Sequence, residues 1–169
     1  MIAGVVLAAG EGSRFGGPKQ RLLLPDVLEA LRASSVDDLI VVAGAYALDV
    51  DATVVECPDW ERGPGASLRC GLNALPADAE AAVVVLADGP DLRPEAVERV
   101  LDAWRTGGAD IVAASYDGAR GHPLVLGRAA WRNVPDEGLR ARNPRLVPCD
   151  DLGPPGDVDR PGDLPARLR

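Results

Sequence analysis

The sequence predicts a three-layer α/β domain with a mostly parallel sheet, and three of its features carry that expectation. Short continuous apolar runs recur along the chain, as strands covered on both faces require. Segments with apolar residues at helical spacing alternate with those runs. The strongest run stops abruptly in a polar turn of Asp, Gly and Pro.

Taken in order, Ile2 to Ala8 is the first such strand. Asp26 to Ser34 reads as a helix with Val27, Leu28 and Leu31 on one side. Leu39 to Gly44 and Ala52 to Cys57 are further strands, and Gly65 to Leu75 is a helix with apolar residues at 68, 72 and 75. Ala81 to Pro90 is the strongest strand, ending in the turn LADGPD. RPEAVERVLDAWRTGG follows as a helix. Pro94 stands near its start, Val97, Val100, Leu101 and Trp104 lie on one face, and Gly107-Gly108 stop it. Ala109 to Ser115 and His122 to Gly127 complete the strands, and LGPPGDVDRPGDL reads as a surface return loop. With no repeat and no linker in view, residues 1–169 read as one domain.

Composition narrows the function. Hydrophobic residues make up 47% and charged residues 26%, a globular balance. No apolar stretch approaches the ~20 residues of a membrane span, and the first residues lack the basic and apolar regions of a signal peptide. A net charge of −8 and a pI near 4.6 argue against general nucleic-acid binding. An acidic chain that takes an anionic ligand needs local basic groups or a metal. Cys57, Cys70 and Cys149 are odd in number, widely spaced and without CxxC. They predict neither a disulfide framework nor a zinc site, which suits a reducing cytoplasm. Trp60, Trp104 and Trp131 read as packing residues, and Asp150-Asp151 as solvated surface.

Ligands in a parallel α/β sheet bind at the carboxyl ends of the strands, where the chain places LAAGEGSRFGGPK, residues 7 to 19. Walker A needs Gly-Lys-Ser/Thr, but Lys19 lies between Pro18 and Gln20. The dinucleotide fingerprint needs GxGxxG, whereas Gly10, Gly12 and Gly16 give GxGxxxG, and Pro18 blocks a prompt helix start. What remains is a long loop whose glycines permit close backbone approach, whose N–H groups can surround phosphate oxygens, and whose Arg14 and Lys19 supply charge.

This loop resembles the signature LAAGxGxRxGxxK of nucleotidyltransferases with a GT-A-like, Rossmann-related fold. The chain as a whole resembles the MobA-like family, which includes the molybdenum cofactor cytidylyltransferases. Pro58, Trp60, Gly63, Ser67, Leu68 and Gly71 match one family block, and LADGPD matches its Leu-Ala-Asp-Met-Pro turn with Gly89 in place of methionine. Gly-His-Pro at 121–123 and DVDRPGDL match two more. One departure stands out: KQRLLLPDVLEAL passes almost directly from loop to helix, without the intervening segment usual in the family.

The resemblance implies an Mg²⁺-dependent transfer of a nucleoside monophosphate to a phosphorylated acceptor, with molybdopterin as one such acceptor and sugar phosphates as another. It implies nucleotide binding by Leu7, Ala8, Ala9, Gly10, Gly12, Ser13, Arg14 and Lys19, with Arg14, Lys19 and Asp88 in the catalytic role and Asp88 and Asp159 on the metal. Asp157 is close enough in sequence to exchange roles with Asp159. Ser67 reads either as a ligand contact at the start of its helix or as a structural residue there. His122, the single histidine, reads either as an acceptor-site group or as a turn residue. The Leu-Ala-Ala-Gly form accompanies pyrimidine triphosphates, and a methyl at Ala9 narrows the space for a base, which favours CTP. A nucleotide-binding member without turnover is the third reading.

Overall fold

A computed structural model describes all 169 residues. Seven strands form one sheet: β1 (Ile2–Ala8), β2 (Asp38–Ala43), β3 (Thr53–Glu56), β4 (Ala81–Leu86), β5 (Ile111–Tyr116), β6 (Ala119–Gly127) and β7 (Arg145–Pro148). Their order is β3-β2-β1-β4-β6-β5-β7. β6 alone runs against its neighbours; every other pairing is parallel. The predicted α/β class with a mostly parallel sheet is what forms.

Alternation within the strands divides the core in two. Val6, Val41, Val83 and Val85 face helices α1 (Gln20–Arg32) and α3 (Pro94–Gly107). Val5, Ile40, Val42 and Val84 face α2 (Pro64–Asn73). Helices thus cover both faces, which explains why the central strands read as unbroken apolar runs.

Several boundaries differ from the sequence-based expectation. Helix α1 begins at Gln20, six residues before the predicted Asp26, and carries Pro25 inside it. An interior proline costs about 3 kcal/mol, yet Leu23, Leu24, Val27, Leu28 and Leu31 are buried, each worth about 1.5–3 kcal/mol. Pro25 itself lies on the exposed side, where the carbonyl it displaces can turn to water. β6 starts at Ala119 rather than His122, because Asp117-Gly118 closes a tight hairpin with β5, both residues at positive φ (52° and 75°). β7 was not foreseen: four residues ending in Pro148, tolerable only at the sheet edge where it lies. Asp150 and Asp151 are exposed but engaged, Asp151 holding Arg99 through two hydrogen bonds of 2.6 and 2.9 Å.

The expectation of no disulfide is corrected. Cys57, just beyond β3, is bonded to Cys70 in α2, their Cα atoms 5.8 Å apart. A spacing of 13 residues is no motif. The pairing comes from where the fold brings two Cβ atoms. Cys149 is left as a buried free thiol. No helix is long and apolar enough to cross a membrane. Alkylation of the chain unfolded without reductant should therefore label Cys149 alone, and all three cysteines after reduction; mass spectrometry of the peptides reads the difference.

Candidate nucleotide site

β1 and β4 pair in parallel at the centre of the sheet, but their following helices cross on one face to strands on opposite sides, so a crevice opens at their carboxyl ends. Three cavities meet there and share Leu7 and Leu86. The first, of about 320 Å³, gathers Leu7, Ala8, Gly10, Gly12, Ser13, Arg14, Lys19, Asp88 and Asp159, nearly the whole predicted set, together with Gln20, which was not predicted. The second, also about 320 Å³, is lined by Ala9, Gly10, Trp60, Gly63 and Ser67. The third, about 460 Å³, holds His122 with Arg120, Arg140 and Glu137 over a floor of leucines. A larger cleft of about 590 Å³ beside Arg32, Asp37, Asp38 and Asp51 lies at the opposite, amino ends of β2 and β3. It has none of the loop residues and is remote from the convergence of turns.

The loop between β1 and α1 folds around its glycines. Gly12 sits at φ 64°, where a Cβ would press against the carbonyl oxygen of Gly17, and its own carbonyl accepts from the N–H groups of Phe15 and Gly16 at 3.0 and 3.1 Å. That winding lays Lys19 inward, 9% exposed. A buried ammonium needs partners, and Lys19 Nζ has two: it donates to the Val158 carbonyl at 2.5 Å and lies 3.6 Å from Asp88 Oδ2. Arg14 remains outside, paired to Asp159 Oδ2 at 2.5 Å.

The segment predicted as a return loop therefore crosses the crevice as a strap. Its backbone is tied to the Asp88 turn by Asp91 N–H to Pro155 O (2.8 Å) and Val158 N–H to Asp88 O (2.9 Å). Gly89 lies beneath it: a Cβ there would stand 3.0 Å from Pro155 Cβ, so the residue that departs from the family's methionine is one the strap crowds. Asp163 orders the next turn, its Oδ2 accepting from the N–H groups of Asp159 and Arg160 at 3.1 and 2.9 Å.

The carboxylates divide in a way the sequence left open. Burial pushes the Asp88 carboxyl up; Lys19 pulls it down, and the nearby charge of Asp157 pushes it up again. Asp157, not Asp159, is thus the carboxylate whose charge acts on Asp88, although Asp159 is the one that lines the same cavity. Asp159 is held below the usual carboxylate range by Arg14. His, Cys, Asp and Glu side chains nowhere form a cluster of three able to cage a metal. A hard divalent cation would draw one or two of these carboxylates and take its other oxygens from phosphate and water, as Mg²⁺ does. The donor set fits such an ion.

In the third cavity, burial and the neighbouring Arg120 lower His122 to about 4. Arg120 is itself committed to the carbonyls of Leu139 and Arg142 at 3.0 and 2.9 Å. Neither arginine of this cavity was singled out from the sequence, since nothing in their spacing marks them.

A doubly covered, mostly parallel sheet with a cationic glycine loop, a carboxylate turn and a three-armed crevice defines a nucleotide-binding domain of the nucleotidyltransferase class. The chain belongs to the MobA-like NTP transferase family, whose domain matches residues 4–145. Among curated proteins it resembles the bifunctional protein GlmU of Corynebacterium aurimucosum, 32% identical over 130 residues, covering 65% of this chain and 26% of that one. It spans about a quarter of that relative's length. Among solved structures it resembles Rv0371c of Mycobacterium tuberculosis H37Rv (TM-score 0.77, 34% identity, 96% and 95% of the two chains). A complex of Rv0371c with manganese gives a TM-score of 0.73 at 30% identity, with 96% and 95% covered.

His122 titrates below its ordinary 6.5 in the folded chain, so between pH 6.5 and about 4 the unfolded chain binds a proton that the folded chain does not. Stability therefore falls as the pH drops through that window and is unaffected by this group above it. Urea midpoints of the wild type and His122→Asn should diverge at pH 7 to 5, the wild type losing more; parallel pH profiles would contradict the half-buried neutral imidazole.

Proposed function

We propose that the chain transfers a nucleoside monophosphate from a nucleoside triphosphate to a phosphorylated acceptor, releasing pyrophosphate. The observation that carries this is the meeting of Arg14, Lys19 and Asp88 in one cavity at the carboxyl ends of β1 and β4. An acceptor phosphate oxygen attacks the α-phosphorus as the bond to the bridging β-phosphate oxygen breaks, and pyrophosphate leaves with that electron pair. Such a reaction asks a protein mainly for position and charge.

Each arm of the crevice suits one part of the substrates. Arg14 and Lys19, with the loop N–H groups, hold the triphosphate. The second arm, between Ala9, Trp60 and Ser67, takes the base. The methyl of Ala9, 6% exposed, narrows that arm and favours a pyrimidine, so CTP is the preferred donor. Asp88, Asp157 and Asp159 are the residues that would hold Mg²⁺ or Mn²⁺, and the manganese complex of Rv0371c supports a divalent ion here. When bound, that ion neutralises phosphate charge. The third arm is the acceptor site: Arg140 and Arg120 attract an anion, the leucines cover an apolar body, and His122 offers a neutral imidazole. A molybdopterin-like acceptor, with a ring system and a phosphate, suits that lining better than a sugar phosphate rich in hydroxyls.

Pyrophosphate release with Mg²⁺ or Mn²⁺, measured across the four nucleoside triphosphates and a panel of acceptors, tests the reading; activity with CTP and a ring-bearing acceptor is expected, and release with a sugar phosphate instead would reassign the third arm. Arg14→Ala should weaken triphosphate binding at least about tenfold by calorimetry. Asp88→Asn should lower kcat by about 10²-fold or more with the fold intact by circular dichroism. Tight CTP binding with no turnover on any acceptor would leave a nucleotide-binding protein and not a transferase.

A further inference from the structure

One buried side-chain polar atom in the chain has no hydrogen-bond partner: Oε1 of Gln20. Buried polar atoms are nearly always paired, so an isolated exception points to a ligand, a water or a strain. This one belongs to a residue that lines the cavity of Arg14 and Lys19. Gln20 is 3% exposed and opens α1 directly after Lys19. Its Nε2 donates to the Gly10 carbonyl at 2.7 Å, which settles the orientation of the amide, because the opposite assignment would set two acceptors against each other. Oε1 is therefore an acceptor awaiting a donor.

Neither cation of the cavity reaches Oε1. Lys19 is held by the Val158 carbonyl and Asp88, and Arg14 by Asp159. Phosphate oxygens cannot serve, since the chain oxygens of a triphosphate carry essentially no hydrogen at neutral pH. The remaining part of a nucleotide able to donate near the phosphates is its sugar. Gly10 lines both the phosphate arm and the arm of Ala9 and Trp60, and the sugar, which joins base to phosphates, must pass that junction. Gln20 is bonded to the residue that marks it.

We propose that Gln20 is a nucleotide-contacting residue whose Oε1 accepts a hydrogen bond from a ribose hydroxyl while its Nε2 holds the loop at Gly10. The proposal rests on the nucleotide reading above and adds to it a selectivity for ribonucleotides. A site built to pair with a hydroxyl rejects the analogue that lacks it, because its buried acceptor then stays unpaired.

The test measures dissociation constants by calorimetry, with Mg²⁺ present, for CTP, 2′-deoxy-CTP, 3′-deoxy-CTP and inorganic tripolyphosphate, with the UTP series in parallel. On the wild type, one deoxy analogue should bind about 3- to 10-fold more weakly than its ribonucleotide. In Gln20→Met that ratio should fall to about one, and tripolyphosphate, which has no sugar, reports separately any loss of affinity from releasing the loop at Gly10. Equal binding of ribo and deoxy forms by the wild type, which needs no variant to fold, would overturn the role of Gln20 and leave the nucleotide reading standing. So would a preference that survives in Gln20→Met. Failure of every triphosphate and of tripolyphosphate to bind the wild type would remove both readings together.

Discussion

The burial of the Lys19 ammonium is the constraint around which the crevice is arranged. A charge that is 9% exposed is tolerable only with partners close at hand, and those partners come from two other segments: the carbonyl of Val158 in the strap and the carboxylate of Asp88 after β4. One side chain therefore binds three parts of the chain that are far apart in sequence. The glycine loop must wind tightly enough to turn Lys19 inward, which is why Gly12 adopts a left-handed conformation. The strap must lie low enough to offer its carbonyl, which is why the turn beneath it carries Gly89.

The same economy governs the electrostatics. A chain with net charge −8 presents the two cations of this cavity already paired, Arg14 with Asp159 and Lys19 with Asp88. The crevice is a balanced set of charges rather than an open positive well. Arg14 and Asp159 are both well exposed, so their pair is weak and exchangeable, whereas the Lys19 contacts are sheltered from water and hold the architecture. Carboxylates that neutralise the cations are also the oxygen donors a divalent ion would use, which joins the two halves of the proposed chemistry in one place.

The sheet was legible in the sequence because burial on both faces writes itself as continuous apolar runs; Ile2–Ala8 was read to the residue. Helix α1 was read too short because Pro25 looks like a terminator until the leucines on either side are seen to be buried. β7 was missed since four residues beside a proline carry no periodicity. The Cys57–Cys70 bond was missed since pairing depends on the crossing of a loop and a helix, not on spacing. Most of the residues lining the cavity of Arg14 and Lys19 lie in the two motifs LAAGEGSRFGGPK and LADGPD that the sequence marks. Gln20 is not marked, because a glutamine beside a lysine has no chemical signature of its own.

By itself the sequence determined the fold class, the strand that leads into the glycine loop, and which residue types face the crevice, because these follow from local periodicity and from motifs a few residues long. The tertiary structure alone decided the partners: Val158 on Lys19, the charge of Asp157 on Asp88, and the unpaired oxygen of Gln20. Those relations join residues separated by up to about 140 positions. They depend on ångström-scale distance and on exclusion of water, quantities that exist only once the chain has packed.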